Sequence, residues 1–328
     1  MNFLFYKKIY FLLFLISSDL SAQNSPLNFY QSIISTDIEG IIDGEVSGVT
    51  WNPLINSLYL INDENGIIWE TDTSLNILRT ITGADFGDTE DITFLTDNKY
   101  AIVTEEGLLY VGNILNGSDD YEVNPNLFQE ISFSTSDNNS GPEGVAYNSI
   151  DEIIYIVKEK NPMAIFRFEL PNTDSDTTII PEIPFNAQSL FDNLMEDLSA
   201  ITFDSRTGRL LILSDDSKRI IDVHPESGAI YGVLDLEEDH QYEGLTFYDN
   251  HYNLIVTSEP NLYVKYERPC ASGSISSHTA ILCLADNLLF NTQDCGWDID
   301  FNQTINIIDL LISSDILSGF NYYNCSNG

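Results

Sequence analysis

Apolar positions in this chain come in short bursts at strand spacing, and one burst recurs. Five segments share a form: Ser47-Gly-Val-Thr-Trp51, Glu90-Asp-Ile-Thr-Phe94, Glu143-Gly-Val-Ala-Tyr147, Ser199-Ala-Ile-Thr-Phe203 and Glu243-Gly-Leu-Thr-Phe247. Each opens on Ser or Glu, passes through a small residue or Asp, an aliphatic and Thr or Ala, and ends on an aromatic. Apolar and polar positions alternate around it, which predicts a half-buried strand. A turn and a second apolar strand follow every copy, at residues 57–62, 100–104, 153–157, 210–214 and 253–258. An acid stands after each: Asp63, Glu105, Glu159, Asp215 and Glu259. Third strands are predicted at 67–70, 108–111, 164–168, 219–223 and 262–266. Fourth strands are expected in the first four units, for example at 77–81 and 230–234.

The copies are 43 to 56 residues apart, the length of one four-stranded blade in a β-propeller. The fifth unit runs out after its third strand. Residues 28–35 have strand character and no other partner, so they are expected to supply the missing strand and close the ring, removing the open edges of a linear array. The predicted fold is therefore all-β: a five-bladed propeller over 27–268. Six blades would follow if residues 172–198 hid a degenerate unit. That stretch reads better as an insertion with a short helix around 187–195.

The ends read differently. Lys7 and Lys8 precede an apolar run at 9–16, and small and polar residues lead to Leu20-Ser-Ala22. This is the pattern of a signal peptide over 1–22, cut after Ala22, with an uncleaved anchor as the alternative. The run is too short to span a bilayer, and with no cysteine near the cut no lipid anchor is implied. The expectation is an exported protein with no transmembrane segment in the mature chain.

Charge narrows the partners. The chain carries 51 Asp and Glu against 13 Lys and Arg, a formal −38. Loss of the leader, with two lysines and one aspartate, leaves the mature chain near −39. Such a surface repels nucleic acid, anionic lipid and phosphorylated substrates and favours cations. Solubility alone accounts for many of these carboxylates.

In a propeller the first strand of each blade lines the central channel. The residue opening each repeat then faces the axis, giving a ring of Ser47, Glu90, Glu143, Ser199 and Glu243. Three carboxyls in one narrow space repel each other, so either they stay protonated or a cation joins them. Ca2+, which takes six to eight oxygens at flexible geometry, suits such a ring; the bland alternative is that these residues cap channel waters or bond neighbouring loops. The second series, Asp63, Glu105, Glu159, Asp215 and Glu259, would form an acidic face at the channel mouth, or else serve as turn residues bonding backbone amides. Lys158 and Lys160 stand out among so few bases; they would pair with that face or hold an anionic group.

Nucleophilic catalysis finds little support. His224, His240, His251 and His278 sit in no repeated motif, and no nucleophile elbow or phosphate loop is present. Whether the chain is an enzyme stays open, with a metal-dependent hydrolase of a neutral or cationic substrate as the alternative to a binding protein. No catalytic residue is assigned.

The last stretch forms a separate unit: a linker over 269–294 and a module over 295–328. Asp298, Asp300, Asn302, Thr304, Asn306 and Asp309 place oxygens at positions 1, 3, 5, 7, 9 and 12 of an EF-hand-type calcium loop. Ile305 is the apolar anchor, and an amphipathic helix is predicted over 307–317. Asp at position 12 and Asn at position 9 look like a dockerin repeat. Gln303 stands where Gly is usual, at a strain of about 1 kcal/mol, and only one repeat is visible. Cys270, Cys283, Cys295 and Cys325 all lie in the last 59 residues, as disulfides of an exported module would. Of three pairings, Cys270–Cys283 with Cys295–Cys325 brackets a compact segment each. The module could bind a protein or surface partner.

Several motifs in order carry a family resemblance: Ser47-Gly-Val-Thr-Trp-Asn-Pro53, Ile61-Asn-Asp-Glu64, Glu143-Gly-Val-Ala-Tyr147, Lys158-Glu-Lys-Asn-Pro162 and Ser258-Glu-Pro-Asn261. They resemble the SdiA-regulated β-propeller family of the YjiK/CarP type, over roughly residues 38–268. The resemblance implies a bacterial envelope or secreted propeller associated with calcium binding and calcium homeostasis, and supplies no catalytic residues. The C-terminal module departs from the simplest members.

Overall fold

The structure, a computed structural model, describes residues 27, 30–38, 42, 44–63, 65–84, 86–133, 141–205, 207–237, 240–248, 253–259 and 261–267. The leader, the linker with its cysteines and the C-terminal calcium loop lie outside the described residues. Five sheets account for the rest. After an N-terminal strand β1 (Gln31–Asp37), blade one holds β2 (Val46–Asn52), β3 (Ser57–Asn62), β4 (Ile68–Thr71) and β5 (Ile77–Thr82). Blade two holds β6 (Thr89–Thr96), β7 (Lys99–Thr104) and β8 (Leu108–Asn113). A short β9 (Tyr121–Glu122) returns to the edge of blade one before β10 (Gln129–Phe133) completes blade two. Blade three is β11 (Pro142–Asn148), β12 (Ile153–Lys158) and β13 (Ala164–Glu169). Then come β14 (Thr177–Ile179) and a one-turn helix α1 (Ala187–Phe191). Blade four is β15 (Ala200–Asp204), β16 (Arg209–Ser214), β17 (Arg219–Val223) and β18 (Ile230–Asp235). Blade five is β19 (Gln241–Tyr248), β20 (Asn253–Glu259) and β21 (Leu262–Glu267).

The second strands explain why the chain makes a ring. Their side chains alternate between two neighbouring blades, so both faces are buried and the sequence is apolar throughout. In β16, Leu210 and Ile212 join the seam with blade three, while Leu211 and Leu213 join the seam with blade five. In β12, Tyr155 and Val157 face blade four, and Ile154 and Ile156 face blade two. In β3, Leu58 and Leu60 face blade five, and Tyr59 and Ile61 face blade two. Five apolar clusters result, one per seam, and the inner strands neighbour one another in the cyclic order β2, β6, β11, β15, β19 and back to β2.

Three expectations need adjustment. The closing strand is Gln31–Asp37, three residues beyond the predicted start; it pairs antiparallel with β21 from Gln31↔Glu267 to Asp37↔Leu262. Blade three has no fourth strand among the described residues, only a bridge between Arg167 and Glu182. The insertion forms no sixth blade. Its β14 adds in parallel to the outer edge of blade two. Its helix is shorter than predicted, capped by the Asn186 side chain, which accepts from Ser189 N at 3.0 Å. Phe191, Met195 and Leu198 then fill the seam between blades three and four.

A second clasp closes the ring at Asn261. Its side chain accepts from Val46 N at 3.2 Å and donates to Gly44 O at 2.7 Å, and its carbonyl accepts from Ile38 N at 2.8 Å. The residue holds φ at 62°, a conformation asparagine tolerates better than most residues. Asn261→Ala removes two hydrogen bonds and keeps the left-handed backbone. The expected loss is about 2–3 kcal/mol in urea unfolding; an unchanged midpoint would show that the clasp contributes nothing.

Candidate functional site

The residues opening the inner strands meet at one end of the axis. Ser47, Glu90, Glu143 and Glu243 lie near the starts of β2, β6, β11 and β19, and Ser199 stands just before β15. The glutamates are half-buried, and loss of water around them is the main cause of their perturbation. It pushes Glu90 up to about 9, with Asp88, Glu105, Glu243 and Asp63 adding repulsion. Glu143 rises to about 10 through burial and then the charges of Glu90, Glu159, Glu243 and Glu105. Glu243 rises to about 8 through burial and then Asp215, Glu259, Asp197 and Glu159. The three carboxyls thus stand in one field of negative charge, to which every acid of the second series contributes.

The two serines differ. Ser47 donates to the Thr89 carbonyl at 2.9 Å across the seam between blades one and two. Ser199 is 4% exposed, and its Oγ has no hydrogen-bond partner. An unpartnered buried hydroxyl costs stability unless something completes it.

Four acids of the second series, Asp63, Glu105, Asp215 and Glu259, gather with acids that the repeat pattern missed. Glu45, Asp63 and Glu259 bring one carboxylate oxygen each within 4.8 Å of one another; so do Asp88, Glu90 and Glu105, and so do Asp197, Asp215 and Asp216. Burial and then Glu45 and Asp63 raise Glu259. Burial and then a hydrogen bond and charge from Asp88 raise Glu105. Asp197 is raised by burial against the donation of Ser214 Oγ and Asp216 N. The missed acids carry a signal of their own: Glu45, Asp88 and Asp197 each stand two residues before the opening residue of a repeat.

The lysines are tied into this face. Lys160 pairs with Glu159 at 2.5 Å and Asp216 at 3.7 Å, and Lys218 with Asp215 at 2.5 Å. Lys158 is 2% exposed and donates through Nζ to the Lys160 carbonyl at 2.5 Å.

Below the glutamates the ring narrows to backbone packing. The second position of the repeat is Gly48, Asp91, Gly144, Ala200 and Gly244. A Cβ added at Gly48 would overlap Asp91 Oδ1 and lie 2.6 Å from its Cα; one at Gly144 would lie 2.8 Å from Ala200 Cα. Asp91 is 1% exposed. Burial pushes its carboxyl well above the usual range, against N–H donations from Val145, Ile92 and Val49. The site is thus a funnel: an acidic mouth, a ring of three carboxyls, and a base where inner strands touch.

The donor set fits a hard divalent cation. Its atoms are carboxyl and hydroxyl oxygens, of the kind Ca2+ takes, and the unpartnered Ser199 hydroxyl is one of them. Among the described residues the three clusters are made of Asp and Glu alone.

The profile of the family described as SdiA-regulated matches residues 22–267. Among solved structures the chain is similar to luciferin-regenerating enzyme, with a TM-score of 0.47 at 11% identity over 72% of this chain and 95% of that one. It is similar to a calcium-binding protein, regucalcin, from Agrobacterium tumefaciens, with a TM-score of 0.44 at 12% identity over 68% and 91%. It is also similar to a chain of the nidogen/laminin complex, with a TM-score of 0.44 at 14% identity over 65% and 72%. Likenesses this distant bring neither activity nor ligand to this chain.

Proposed function

We infer that this chain, which belongs to the SdiA-regulated family, binds Ca2+ in the acidic funnel of its propeller and acts as an exported binding or calcium-handling protein. The observation that carries this reading is the crowding of carboxylates at the starts of the inner strands: Asp88, Glu90 and Glu105 bring oxygens within 4.8 Å of one another, and the half-buried Glu90, Glu143 and Glu243 lie in one field of negative charge. Carboxyls so placed repel each other unless protonated, and a divalent cation replaces the protons at neutral pH. Glu90, Glu143, Glu243 and the Ser199 hydroxyl would hold the ion; Ser47 is committed to the Thr89 carbonyl and serves the framework. The surrounding acids raise the local concentration of cations. The loop at Asp298, Asp300, Asn302, Thr304, Asn306 and Asp309 is proposed as a second site, on a tail that tethers the propeller to a partner or surface. Among the described residues no helix is long and apolar enough to cross a membrane.

Calorimetric titration of the full chain with CaCl2 tests both sites. Two classes of site are expected, with affinities near the 10⁻⁴–10⁻³ M of extracellular calcium modules. Glu143→Gln should weaken one class at least tenfold and leave the other unchanged. A wild-type chain that takes up no Ca2+, or a variant that binds like it, sinks the funnel reading.

A further inference from the structure

Asp91 is the one member of its repeat position with a side chain longer than a methyl group, and the surroundings are built around it. Its Oδ1 accepts from Ile92 N at 2.8 Å and its Oδ2 from Val145 N at 2.9 Å, and Val49 N donates as well. These donors belong to three inner strands: β2 of blade one, β6 of blade two and β11 of blade three. Each lies close to a funnel residue in sequence. Val49 is two residues from Ser47, Ile92 two from Glu90, and Val145 two from Glu143. Within a strand, dihedrals scatter by only about 15–20°, so fixing one N–H limits where a residue two positions away can lie. Gly48 has no side chain, and that leaves the carboxylate its place.

We propose that Asp91 is the positioning residue of the cation funnel: by bonding three inner strands at once it sets the separation of Glu90 and Glu143 and keeps both aimed at a common point. The proposal rests on the funnel being a Ca2+ site and deepens that reading. Asp91 does not touch the ion; it acts through the backbone, as outer-shell partners orient the ligands of other metal sites. The ring is asymmetric as a result. Blades one to three are locked by a carboxylate, whereas at the equivalent place between blades three and four Gly144 meets Ala200 Cα, Ile201 N and the apolar Val157 side chain.

The test uses the full chain and CaCl2. Asp91→Asn is isosteric but sets an amide N–H2 against a backbone N–H, so at least one bond fails. Gly48→Ala leaves the Asp91 side chain unchanged and pushes it aside. Ile221→Val in the seam between blades three and four is the control for lost stability without displacement of the funnel. With all three folded by circular dichroism, the first two should bind Ca2+ about 10–100-fold more weakly, and the control within about twofold of wild type. Tb3+ bound in place of Ca2+ should gain about one coordinated water in Asp91→Asn, read from luminescence lifetimes in H2O and D2O, because one glutamate no longer reaches the ion. Wild-type affinity and hydration in Asp91→Asn overturn the positioning role. So does an equal loss in the Ile221→Val control, and so does failure of both axial variants to fold, which would make Asp91 part of the framework only. A wild type that binds no Ca2+ overturns the parent reading as well, which separates the two failures.

Discussion

In a chelating buffer, the melting temperature of the wild-type chain is expected to fall by about 10 °C between pH 5 and pH 8, and millimolar Ca2+ should restore it. In the folded chain Glu243, Glu90 and Glu143 hold their protons up to about 8, 9 and 10, against an ordinary value of 4.5. Between those limits the folded state binds more protons than the unfolded state, so stability falls as pH rises. The contribution is complete below pH 4.5 and is lost as pH climbs through 8 to 10. Each group is worth at most about 1.4 kcal/mol per pH unit. A third of that maximum, summed over three groups and three units, is about 4 kcal/mol, or about 8–16 °C for a domain of this size. The Glu90→Gln, Glu143→Gln, Glu243→Gln triple variant should flatten the profile and lose the Ca2+ response. A flat wild-type profile, or a triple variant as steep as wild type, would falsify the shared-space account.

Particular residues show how far the sequence could be read. The blade count was legible because each seam needs two apolar faces, and the second strands, such as 57–62 and 210–214, are apolar at every position that faces a neighbour. The closing strand was legible because the fifth repeat lacks a fourth strand. The fourth strand of blade three was not: after Glu169 the chain leaves to pair Thr177–Ile179 with blade two, a tertiary choice that no local pattern announces. In the site, the opening residue of each repeat could be assigned to the start of an inner strand because the ring makes those positions equivalent. The clusters containing Glu45, Asp88 and Asp197 were missed because those acids precede the strand, where a repeat aligned on apolar residues has no register. Asp91 was visible as an exception to a small-residue position, but its meaning depends on Gly48 lying beneath it, and that is a contact between blades.

Arg79→Met is expected to destabilise the ring by about 3–5 kcal/mol, by a route independent of the funnel. Arg79 on β5 and Glu70 on β4 form an ion pair at 2.6 Å, with side chains 2% and 5% exposed. Tyr59 on β3 donates to the same Glu70 oxygen at 2.9 Å, and its ring packs on Tyr100 of blade two at 4.8 Å between centroids. Tyr100 in turn accepts from the Asn52 side chain at 2.8 Å. The polar chain thus runs through blade one and across its seam with blade two. Removing the guanidinium leaves a carboxylate without its cation where water does not reach, and that uncompensated charge, more than the lost bond, sets the cost. Urea unfolding should show the loss, with the melting temperature down by about 6–20 °C. Adding Glu70→Met removes the stranded charge and should recover most of the stability, leaving Tyr59 to lose one hydrogen bond of about 1 kcal/mol. A double variant no more stable than Arg79→Met alone would place the cost in lost packing of the arginine stem, and a single variant within 1 kcal/mol of wild type would mean that water reaches Glu70 after all.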